Sequence, residues 1–391
     1  MTVAAQSFVT SSPGSSATGQ DTARRVLDRL GAAPGIVLAY LTVNHDQVAF
    51  LAGMRAVLGP DVPVIGCSAQ GVVGRGSVRE EGYAAGALAL GGSSARISHG
   101  LVERIATDAY ERGRELGQKL RAGHATSPKA AVVHYDALSG IDPDRFLAGL
   151  FRELECPILG GASAHSFNYE SLHQTFQYHG DRVLSGAAVG FALSGDLGVE
   201  FHGCHGCSPI GIELTVTRAE GNVLKELDGR RAFDVWRELC GDIDPNSNQS
   251  AALAIGVPLG PRPEDYLVRA AYTLDPASGN VHLGPAIPEG TRIMLHHRTV
   301  EDVTDGAARM GRELRDRLGE RKARAVLGFE CGARTRPFLG DDGTLEENLG
   351  LQKTLGADAA WLGMIPWGEL LPVAGRPAFH NYAYALLALT D

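Results

Sequence analysis

The amino-acid sequence predicts an α/β fold with mixed, largely buried sheets and flanking helices, arranged as two lobes built from three related helix–strand–helix–strand–strand units. Two observations predict it. The same order of helix-like and strand-like segments occurs three times along the 391 residues. The strand-like segments are apolar at nearly every position, which is typical of strands that are buried on both faces and covered by helices.

The first two copies follow each other in the N-terminal half of the chain. In copy one, the segments with helical or strand-like periodicity are 21–30, 35–43, 46–59, 62–73 and 82–90. In copy two, the corresponding segments are 111–120, 130–138, 144–154, 156–166 and 186–195. Because strands alternate with helices, we expect each copy to form a partly parallel sheet whose central strand lies at 36–43 or 130–136. An antiparallel strand is expected to follow after a short connection.

A third copy, with longer connections, is predicted at 305–391, and it would form the second lobe. The region before it has strand-like patterns at 198–206 and 212–229, a helix-like pattern at 232–241, and two or three strand-like segments between 266 and 295. The densest cluster of Pro, Asn and Gly lies at 242–264 and predicts an interdomain linker. Residues 1–20 are small and polar and predict a poorly ordered leader.

Charge and hydropathy narrow the functional classes. The formal net charge is −9 and the isoelectric point is about 5.8. Duplex-binding proteins need a basic stripe, which this sequence lacks, so we expect no nucleic-acid partner. Apolar runs end well short of the roughly 18 residues of a membrane-spanning helix, so no membrane partner is expected either. The first 20 residues do not have the pattern of a secretory signal, which predicts a cytoplasmic protein with six reduced cysteines.

An ordered series of short motifs connects the chain to a known family. Those in the N-terminal part are Val64-Ile65-Gly66-Cys67-Ser68, Leu159-Gly160-Gly161, Gly206-Cys207-Ser208-Pro209-Ile210-Gly211, Val216-Thr217, Gly221-Asn222-Val223 and Glu226-Leu227-Asp228-Gly229. Those in the C-terminal part are Cys331-Gly332-Ala333-Arg334, Glu346, Gly363, Gly368-Glu369 and His380-Asn381. By these motifs the chain resembles the FIST proteins, with a FIST N-terminal domain at 21–230 and a FIST C-terminal domain at 231–391.

The resemblance implies a sensory, signal-transducing protein that binds a small molecule. The ligand it suggests is an amino acid, and the output partner it suggests is a separate signalling protein such as a histidine kinase. A branch of the family implies an alternative, a haem-binding nitric-oxide sensor, and an enzyme of unknown reaction is a third hypothesis. Two departures from the family pattern leave the identity of the ligand open. Ser163 and His165 stand where many relatives are acidic, and Trp367 would narrow or reshape a pocket.

Glycine-rich strand ends are the first candidate binding residues. Gly66, Cys67 and Ser68 end one apolar strand of copy one, and Gly160, Gly161 and Ser163 end the matching strand of copy two. Ligands of open α/β sheets bind outside the carboxyl ends of strands, where glycine exposes backbone N–H groups and serine offers a hydroxyl. The alternative is that these glycines only permit tight turns.

The end of copy three supplies the second set of candidates. Cys331 and Arg334 follow an apolar strand, and an arginine fixes a carboxylate through two parallel hydrogen bonds. Glu369 would suit an ammonium group, so the pair would match the two charges of an amino acid. The alternative is a structural ion pair of Arg334 with Glu369 or Glu346. The resemblance adds further candidate ligand-binding residues, namely Gly368, His380 and Asn381.

Metal, haem and catalytic motifs give weaker signals. The cluster His202, Cys204, His205 and Cys207 lacks the second pair of ligands of a structural zinc site, so no metal is expected. We expect no resident cofactor, but haem stays open through the family branch. The histidines considered as axial ligands are His134, His165, His296 and His380. The sequence has no nucleophile elbow, Walker loop, dinucleotide fingerprint or His-Glu-x-x-His motif, which favours a non-enzymatic role.

Overall fold

The computed structural model describes residues 3–28, 30–93, 95–166, 174–241, 252–260, 262 and 265–391. These residues form the α-helices α1 (Ser15–Leu27), α2 (Gln47–Leu58), α3 (Ala109–Arg121), α4 (Pro143–Leu154), α5 (Ala232–Cys240), α6 (Val300–Leu318) and α7 (Gly340–Leu355). A π-helical turn, Thr335–Leu339, leads directly into α7.

The strands in the N-terminal half are β1 (Ala4–Thr10), β2 (Pro34–Leu41), β3 (Val64–Ser68), β4 (Gly71–Gly74), β5 (Ser77–Arg79), β6 (Ala85–Gly91), β7 (Ala95–Glu103), β8 (Ala130–Asp136), β9 (Ile158–Ser163), β10 (Gln177–His179), β11 (Arg182–Leu184), β12 (Ala187–Gly195) and β13 (Gly198–Cys204). Those that follow are β14 (Ser208–Glu220), β15 (Val223–Leu227), β16 (Arg230–Arg231), β17 (Leu253–Pro258), β18 (Tyr266–Arg269), β19 (Ala271–Asp275), β20 (Asn280–Leu283), β21 (Arg292–His297), β22 (Ala323–Glu330), β23 (Ala360–Ile365), β24 (Glu369–Leu370), β25 (Phe379–His380) and β26 (Tyr384–Thr390).

Three six-stranded sheets have the same internal order. The first sheet runs β1-β6-β2-β3-β10-β11, the second β7-β12-β8-β9-β24-β25 and the third β13-β26-β22-β23-β4-β5. In each, the two strands joined by a helical crossover are parallel and the others are antiparallel. The predicted α/β class with mixed, buried sheets and flanking helices is confirmed, and β2 and β8 lie inside their sheets as expected.

The three sheets exchange hairpins in a cycle. The hairpin that follows β3 in the chain, β4-β5, completes the third sheet, and the one that follows β9, β10-β11, completes the first. The β24-β25 pair, which follows β23, completes the second. The predicted division into two lobes, with copies one and two in one and copy three in the other, is therefore not confirmed, because each of these three sheets contains a strand pair from another copy.

The apolar strands explain where the core lies. Residues from the inner faces of all three sheets pack into one shared cluster, in which Tyr40 of β2, Leu159 of β9 and Phe329 of β22 are fully buried. The outer faces are covered by α1 and α2, by α3 and α4, and by α6 and α7. Burial on both faces is the reason why these strands carry almost no polar residue.

The fourth sheet lies between copies two and three in the chain. It consists of β18-β17-β21-β14-β15-β20-β19, with β16 beside β15, and it is antiparallel throughout. Helix α5 packs on it through Phe233 and Trp236, which are buried in a separate cluster. The strand-like patterns predicted around 212–229 and 266–295 correspond to this sheet.

Two predicted segments, the poorly ordered leader and the interdomain linker, are wrong in part. The segment predicted as a poorly ordered leader contains β1, which pairs with β6 along its whole length, and the start of α1. The segment predicted as a linker, 242–264, contains β17, which lies between β18 and β21. Residues 242–251, 261, 263 and 264 of that segment lie outside the described residues. The polar and turn-forming residues around β1 and β17 indicated loops, although each segment contains a short strand with apolar residues.

Within the described parts of the chain, no helix combines the length and the apolar character that crossing a membrane requires.

Candidate functional site

A cleft opens where β22 and β23 end, beside the end of β8 and the edge of the fourth sheet. Its first part, here named the Cys331 chamber, encloses about 430 Å³. The lining is mainly apolar and aromatic and consists of Ala137, Leu138, Ala270, Ala271, Tyr272, Cys331, Ala333, Pro366, Trp367, Gly368, Asn381 and Tyr382. An apolar cavity with a few polar groups at the ends of α/β strands is the usual form of a small-molecule site.

The second part, here named the Asp142 chamber, encloses about 510 Å³. It lies between the start of α4 and the loops of the fourth sheet, and its lining is Tyr135, Ala137, Gly140, Ile141, Asp142, Pro143, Gly221, Asn222, Tyr272, Gly284, Pro285, Ala286, Trp367 and Phe379. Ala137, Tyr272 and Trp367 line both chambers. The two chambers therefore lie side by side and share part of their walls.

A thiol and a carboxyl group form the polar centre behind the Cys331 chamber. The backbone N–H groups of Ala383 and Gly368 donate to the Glu369 carboxyl at 3.0 and 3.2 Å, and the Cys331 thiol is hydrogen-bonded to it as well. Burial raises the pKa of Glu369 well above its usual range, more than these hydrogen bonds lower it. Burial also raises the pKa of Cys331, and the neighbouring Glu369 adds to the shift. Both shifts favour the protonated forms of the thiol and the carboxyl group.

An amide fixes the aromatic rim of the cleft. The Asn381 side chain donates through Nδ2 to the hydroxyl of Tyr272 at 3.0 Å and accepts at Oδ1 from the Ala270 N–H at 3.0 Å. Tyr272 is 58% exposed, yet its hydroxyl is held inward by this bond. Its ring lies against Gly284, where an added Cβ would be 2.8 Å from a ring carbon. Tyr272 thus stands at the boundary of the two chambers with its ring available to a ligand.

A chain of hydrogen bonds starts at the wall of the cleft. The indole Nε1 of Trp367 donates to Gln70 at 3.1 Å, and the amide of Gln70 donates to Glu80 at 3.1 Å. Glu80 also accepts from the Thr335 hydroxyl at 2.9 Å and the Arg336 N–H at 3.1 Å. Burial raises the pKa of Glu80, against the opposing effect of these donors. The wall is in this way joined to the π-helical turn before α7.

Comparisons with known proteins decide the family. A model of the FIST N domain matches residues 35–230, and a model of the FIST C domain matches residues 232–372. The chain is a FIST protein. FIST domains are sensory and signal-transduction domains, and the cleft lies where the two domains meet, because Ala137 and Asp142 belong to the N domain and Cys331 to the C domain.

Relatives of similar length align along nearly the whole chain. The FIST protein is 26% identical to an uncharacterized protein of Mycobacterium bovis over 404 aligned residues, which cover 98% of each chain. It is 28% identical to an uncharacterized protein of Mycobacterium tuberculosis over 388 aligned residues, 92% of each chain. The structure of PurLQS from Thermotoga maritima matches at 10% identity with a TM-score of 0.24, covering 99% of this chain and 72% of that one. A TM-score this low does not establish a shared fold.

Several residues predicted from the sequence do meet at the cleft. Cys331, Gly368 and Asn381 line the Cys331 chamber, and Glu369 lies directly behind it. Gly368 has φ of +115°, a conformation that favours glycine, and an added Cβ would collide with the ring of Phe379. These four predicted residues therefore lie together at one cleft, and their role in binding a ligand stays a prediction.

Arg334 lies elsewhere. Its side chain is fully buried and lines neither chamber. Its Nη2 donates to Glu347 at 2.6 Å and to the Val303 carbonyl at 3.2 Å, while Nε is 3.5 Å from a carboxylate oxygen of Glu330. The predicted partners Glu369 and Glu346 are wrong, and the ion pair joins the end of β22 to α7 instead.

This buried cluster holds two carboxyl groups around one guanidinium. Burial lowers the pKa of Arg334, but Glu347, Cys204 and Glu330 raise it further than burial lowers it, so the group stays charged. Burial raises the pKa of Glu330, and Glu347 adds to that shift. A guanidinium already compensated in this way is a structural centre and not a free clamp for a ligand carboxylate.

The glycine-rich ends of copies one and two are closed. Gly66 lies so near the Ala39 carbonyl that a Cβ would clash with it, and Cys67 packs its sulfur 3.6 Å from that of Met364. The Ser68 hydroxyl accepts from the Phe176 N–H at 3.0 Å. All three predicted residues are buried and line neither chamber.

The same holds for the predicted residues of copy two. Gly160, at φ of +133°, approaches the Val133 carbonyl, and an added Cβ at Gly161 would meet Pro366. The Ser163 hydroxyl donates to the Tyr135 carbonyl at 3.0 Å. Gly160, Gly161 and Ser163 allow close strand contacts and do not line either chamber.

Haem requires an axial ligand in a large apolar pocket. No histidine among the described residues lines either chamber. His134 has one ring nitrogen 3.0 Å from the Tyr40 hydroxyl and the other 3.2 Å from the Gly161 carbonyl, and Nε2 of His380 is 3.2 Å from the Leu371 carbonyl. Burial also raises the pKa values of the Cys331 thiol and of the Tyr272 and Tyr382 hydroxyls, which disfavours the deprotonated forms that bind iron, so the residues of the cleft do not fit haem.

The His202-to-Cys207 cluster is spread over β13 and the following turn. His202 is paired with Glu313 at 2.6 Å, and the Nδ1 of His205 accepts from the Cys207 N–H at 3.0 Å. Among the described residues, no group of three or more His, Cys, Asp and Glu side chains is placed to hold a metal ion.

Sequence reasoning missed Tyr272, Asp142 and Gln70. Tyr272 is on the fourth sheet, Asp142 caps α4 and Gln70 follows β3, so only the folded chain brings the first two to the cleft and Gln70 to the indole of Trp367. An aspartate at the start of a helix is the commonest kind of N-cap and gave no signal of its own.

Proposed function

We propose that this FIST protein is a sensor that binds a small molecule in the cleft formed by the Cys331 and Asp142 chambers. The observation that carries the proposal is the convergence of Cys331, Gly368 and Asn381, from separate motifs, on an apolar cavity of about 430 Å³. Its thiol–carboxyl pair and the Asn381 amide give a ligand a few directional hydrogen bonds within an apolar surface.

The residues that line the cleft limit the class of ligand that it can bind. The resemblance to FIST proteins suggests an amino acid, whose side chain suits the Cys331 chamber. Its carboxylate would find no cationic partner among the described lining residues, because Arg334 is buried and paired with Glu347. The cleft is therefore better suited to a small molecule with an apolar or aromatic body and no carboxylate.

The output runs through the hydrogen-bond chain behind Trp367. A ligand that contacts the indole of Trp367 shifts the hydrogen bond from the indole to Gln70. Gln70 and Thr335 both donate hydrogen bonds to Glu80. Thr335 begins the π-helical turn that leads into α7, a helix on the outer face of the third sheet. A separate signalling protein, for which the family suggests a histidine kinase, would read the position of α7.

The test is a thermal-shift panel on the full chain, with free amino acids, their decarboxylated amines and the matching alcohols, together with a visible spectrum for haem. A ligand present at about 100 times its dissociation constant adds roughly 2.7 kcal/mol to stability. In Ala333→Leu, the larger side chain fills part of the Cys331 chamber, and we expect it to abolish the shift. Ala277→Leu, in an exposed turn, is the matched control and should keep it.

Two results would argue against the proposal. One is a ligand that stabilises the wild type and Ala333→Leu equally, because that ligand does not occupy the chamber. The other is a Soret band with the purified protein, because the ligand would then be haem at a site outside the cleft.

A further inference from the structure

We propose that the Asp142 chamber binds an organic ammonium group, so that the cleft selects an amine over the amino acid with the same side chain. The inference rests on the proposed function, because the body of the same ligand would occupy the adjoining Cys331 chamber. Two independent features of the chamber support it, its aromatic walls and its carboxylate.

Four aromatic side chains line the Asp142 chamber, namely Tyr135, Tyr272, Trp367 and Phe379. The face of an aromatic ring carries a negative electrostatic potential that attracts ammonium groups, and a cage of several rings is a common device for recognising organic cations. Tyr272 and Trp367 also line the Cys331 chamber, so a ligand would pass between them from one chamber to the other. The rings thus place a favourable site for positive charge next to a site for an apolar body.

The carboxylate of Asp142 is the counter-charge. It caps α4, and its Oδ1 accepts from the N–H groups of Asp144 and Arg145, both at 3.1 Å. Its Oδ2 has no hydrogen-bond partner among the described residues, so one oxygen is available to a ligand. Among those residues, Asp142 is also the one charged side chain in the lining of either chamber. A carboxylate ligand would be repelled here, and an ammonium would donate to Oδ2.

The buried cation beside Phe379 does not cancel this field. Arg269 lies 5.4 Å from the centre of the Phe379 ring, but it is paired with Asp144 at 2.7 Å and donates to the Phe379 carbonyl. It lines neither chamber. The charge of Arg269 is compensated by Asp144, which leaves that of Asp142 for a ligand.

Three probes with one body test the inference by isothermal titration calorimetry of the full chain. They are 2-phenylethylamine, which carries the ammonium, 2-phenylethanol, which is uncharged, and phenylalanine, which adds a carboxylate. We expect the amine to bind at least about tenfold more tightly than either of the others, since one charge-assisted hydrogen bond contributes a tenfold to hundredfold change.

Asp142→Asn removes the charge but keeps a good N-cap. It should weaken binding of the amine by roughly tenfold to a hundredfold and leave 2-phenylethanol unchanged. Asp46→Asn is the matched control. Asp46 caps α2 by accepting from the Ala49 N–H at 2.9 Å, and it lines neither chamber. This variant should bind all three probes as the wild type does.

The outcomes separate the two proposals. If the alcohol binds as tightly as the amine, or if Asp142→Asn leaves the amine unaffected, the ammonium inference is wrong, while loss of binding in Ala333→Leu would still support the cleft. If Asp142→Asn abolishes amine binding but Ala333→Leu does not, the Asp142 chamber stands as an amine site and the proposed use of the Cys331 chamber fails. If none of the probes binds the wild type, the ammonium inference is overturned.

Discussion

The carboxyl ends of the first and third sheets have the same strand arrangement and opposite chemistry. Ala39 of β2 lies beside Gly66, and Gly328 of β22 lies beside Gly363, so Leu41 and Glu330 occupy matching positions two residues later. An apolar residue ends one central strand and a buried acid ends the other. The comparison shows that the shared strand arrangement does not decide which end becomes a site.

The carboxyl end of the first sheet is closed by hydrogen bonds between uncharged groups. The Thr42 hydroxyl donates to the Gly82 carbonyl at 2.7 Å, and the Ser68 hydroxyl accepts from Phe176. The third end instead concentrates ionisable groups, with Glu330 and Arg334 on one side and Glu369 on the other. Buried charge has to be compensated by specific partners, and the turn that supplies those partners also shapes the Cys331 chamber.

The largest loss of stability is expected from removing Arg334, the cation that compensates the buried carboxyl groups at the carboxyl end of the third sheet. Arg334→Ala leaves Glu347 and Glu330 buried without their guanidinium, and we expect the free energy of unfolding to fall by about 3–5 kcal/mol. Arg334→Lys should also destabilise, because an ammonium cannot reproduce the geometry of the guanidinium. Urea denaturation of the free protein measures both.

The control for that prediction is Arg336→Ala. Arg336 is 40% exposed and pairs at the surface with Glu81 and Asp341. Its loss should cost less than about 1 kcal/mol. An Arg334→Ala protein that unfolds like the wild type but no longer responds to any ligand would show that Arg334 serves the ligand and not the fold.

The helix pairs on the second and third sheets extend the comparison to packing. Gly149 of α4 packs against α3 so closely that an added Cβ would collide with the Tyr110 carbonyl, whereas an added Cβ at Gly350 of α7 would meet nothing within 4 Å. Gly149→Ala should therefore destabilise by about 1–3 kcal/mol. Gly350→Ala should stabilise by about 0.5–1 kcal/mol through helix propensity. Thermal unfolding of the two variants tests this, and equal shifts would contradict the difference in packing.

A pH-dependent effect is expected in the shared core between these ends. Burial lowers the pKa of His134 to about 4, although the Gly161 carbonyl partly opposes the shift. The unfolded chain then binds more protons than the folded one between pH 6.5 and about 4, so the contribution of His134 to stability is present above that range and is lost as pH falls through it.

His134→Gln removes this titration while keeping a polar partner for Tyr40. We expect the loss of unfolding free energy between pH 7.5 and pH 5 to be smaller in the variant by about 2 kcal/mol. Chemical denaturation at both pH values gives the difference. The same pH dependence in both proteins would mean that another group dominates it.

Much of the fold could be read from the sequence because the strands are buried on both faces. Burial leaves an apolar run at every central strand, as in β2 and β8, and helices such as α2 and α4 begin at aspartate N-caps. The mixed sheets and flanking helices follow from those local patterns. The exchanged hairpins did not follow, because a hairpin such as β10-β11 has the same sequence pattern whichever sheet it completes.

The candidate site could likewise be predicted only in part from the sequence. The motifs themselves indicated Cys331, Gly368, Glu369 and Asn381, and the structure brings these residues to one cleft or directly behind it. Tyr272 and Asp142 could not be found, since they are far from those motifs in the chain and nothing in their local sequence marks them.

The ion pair of Arg334 depends on how α7 packs against the end of β22. From the sequence, an arginine is expected after the strand and glutamates in the next helix. The sequence did not determine which glutamate would be reached. Adjacent residues of a helix point about 100° apart, because 3.6 residues make one turn, so the docking angle of α7 turns Glu347 towards Arg334 and Glu346 towards solvent.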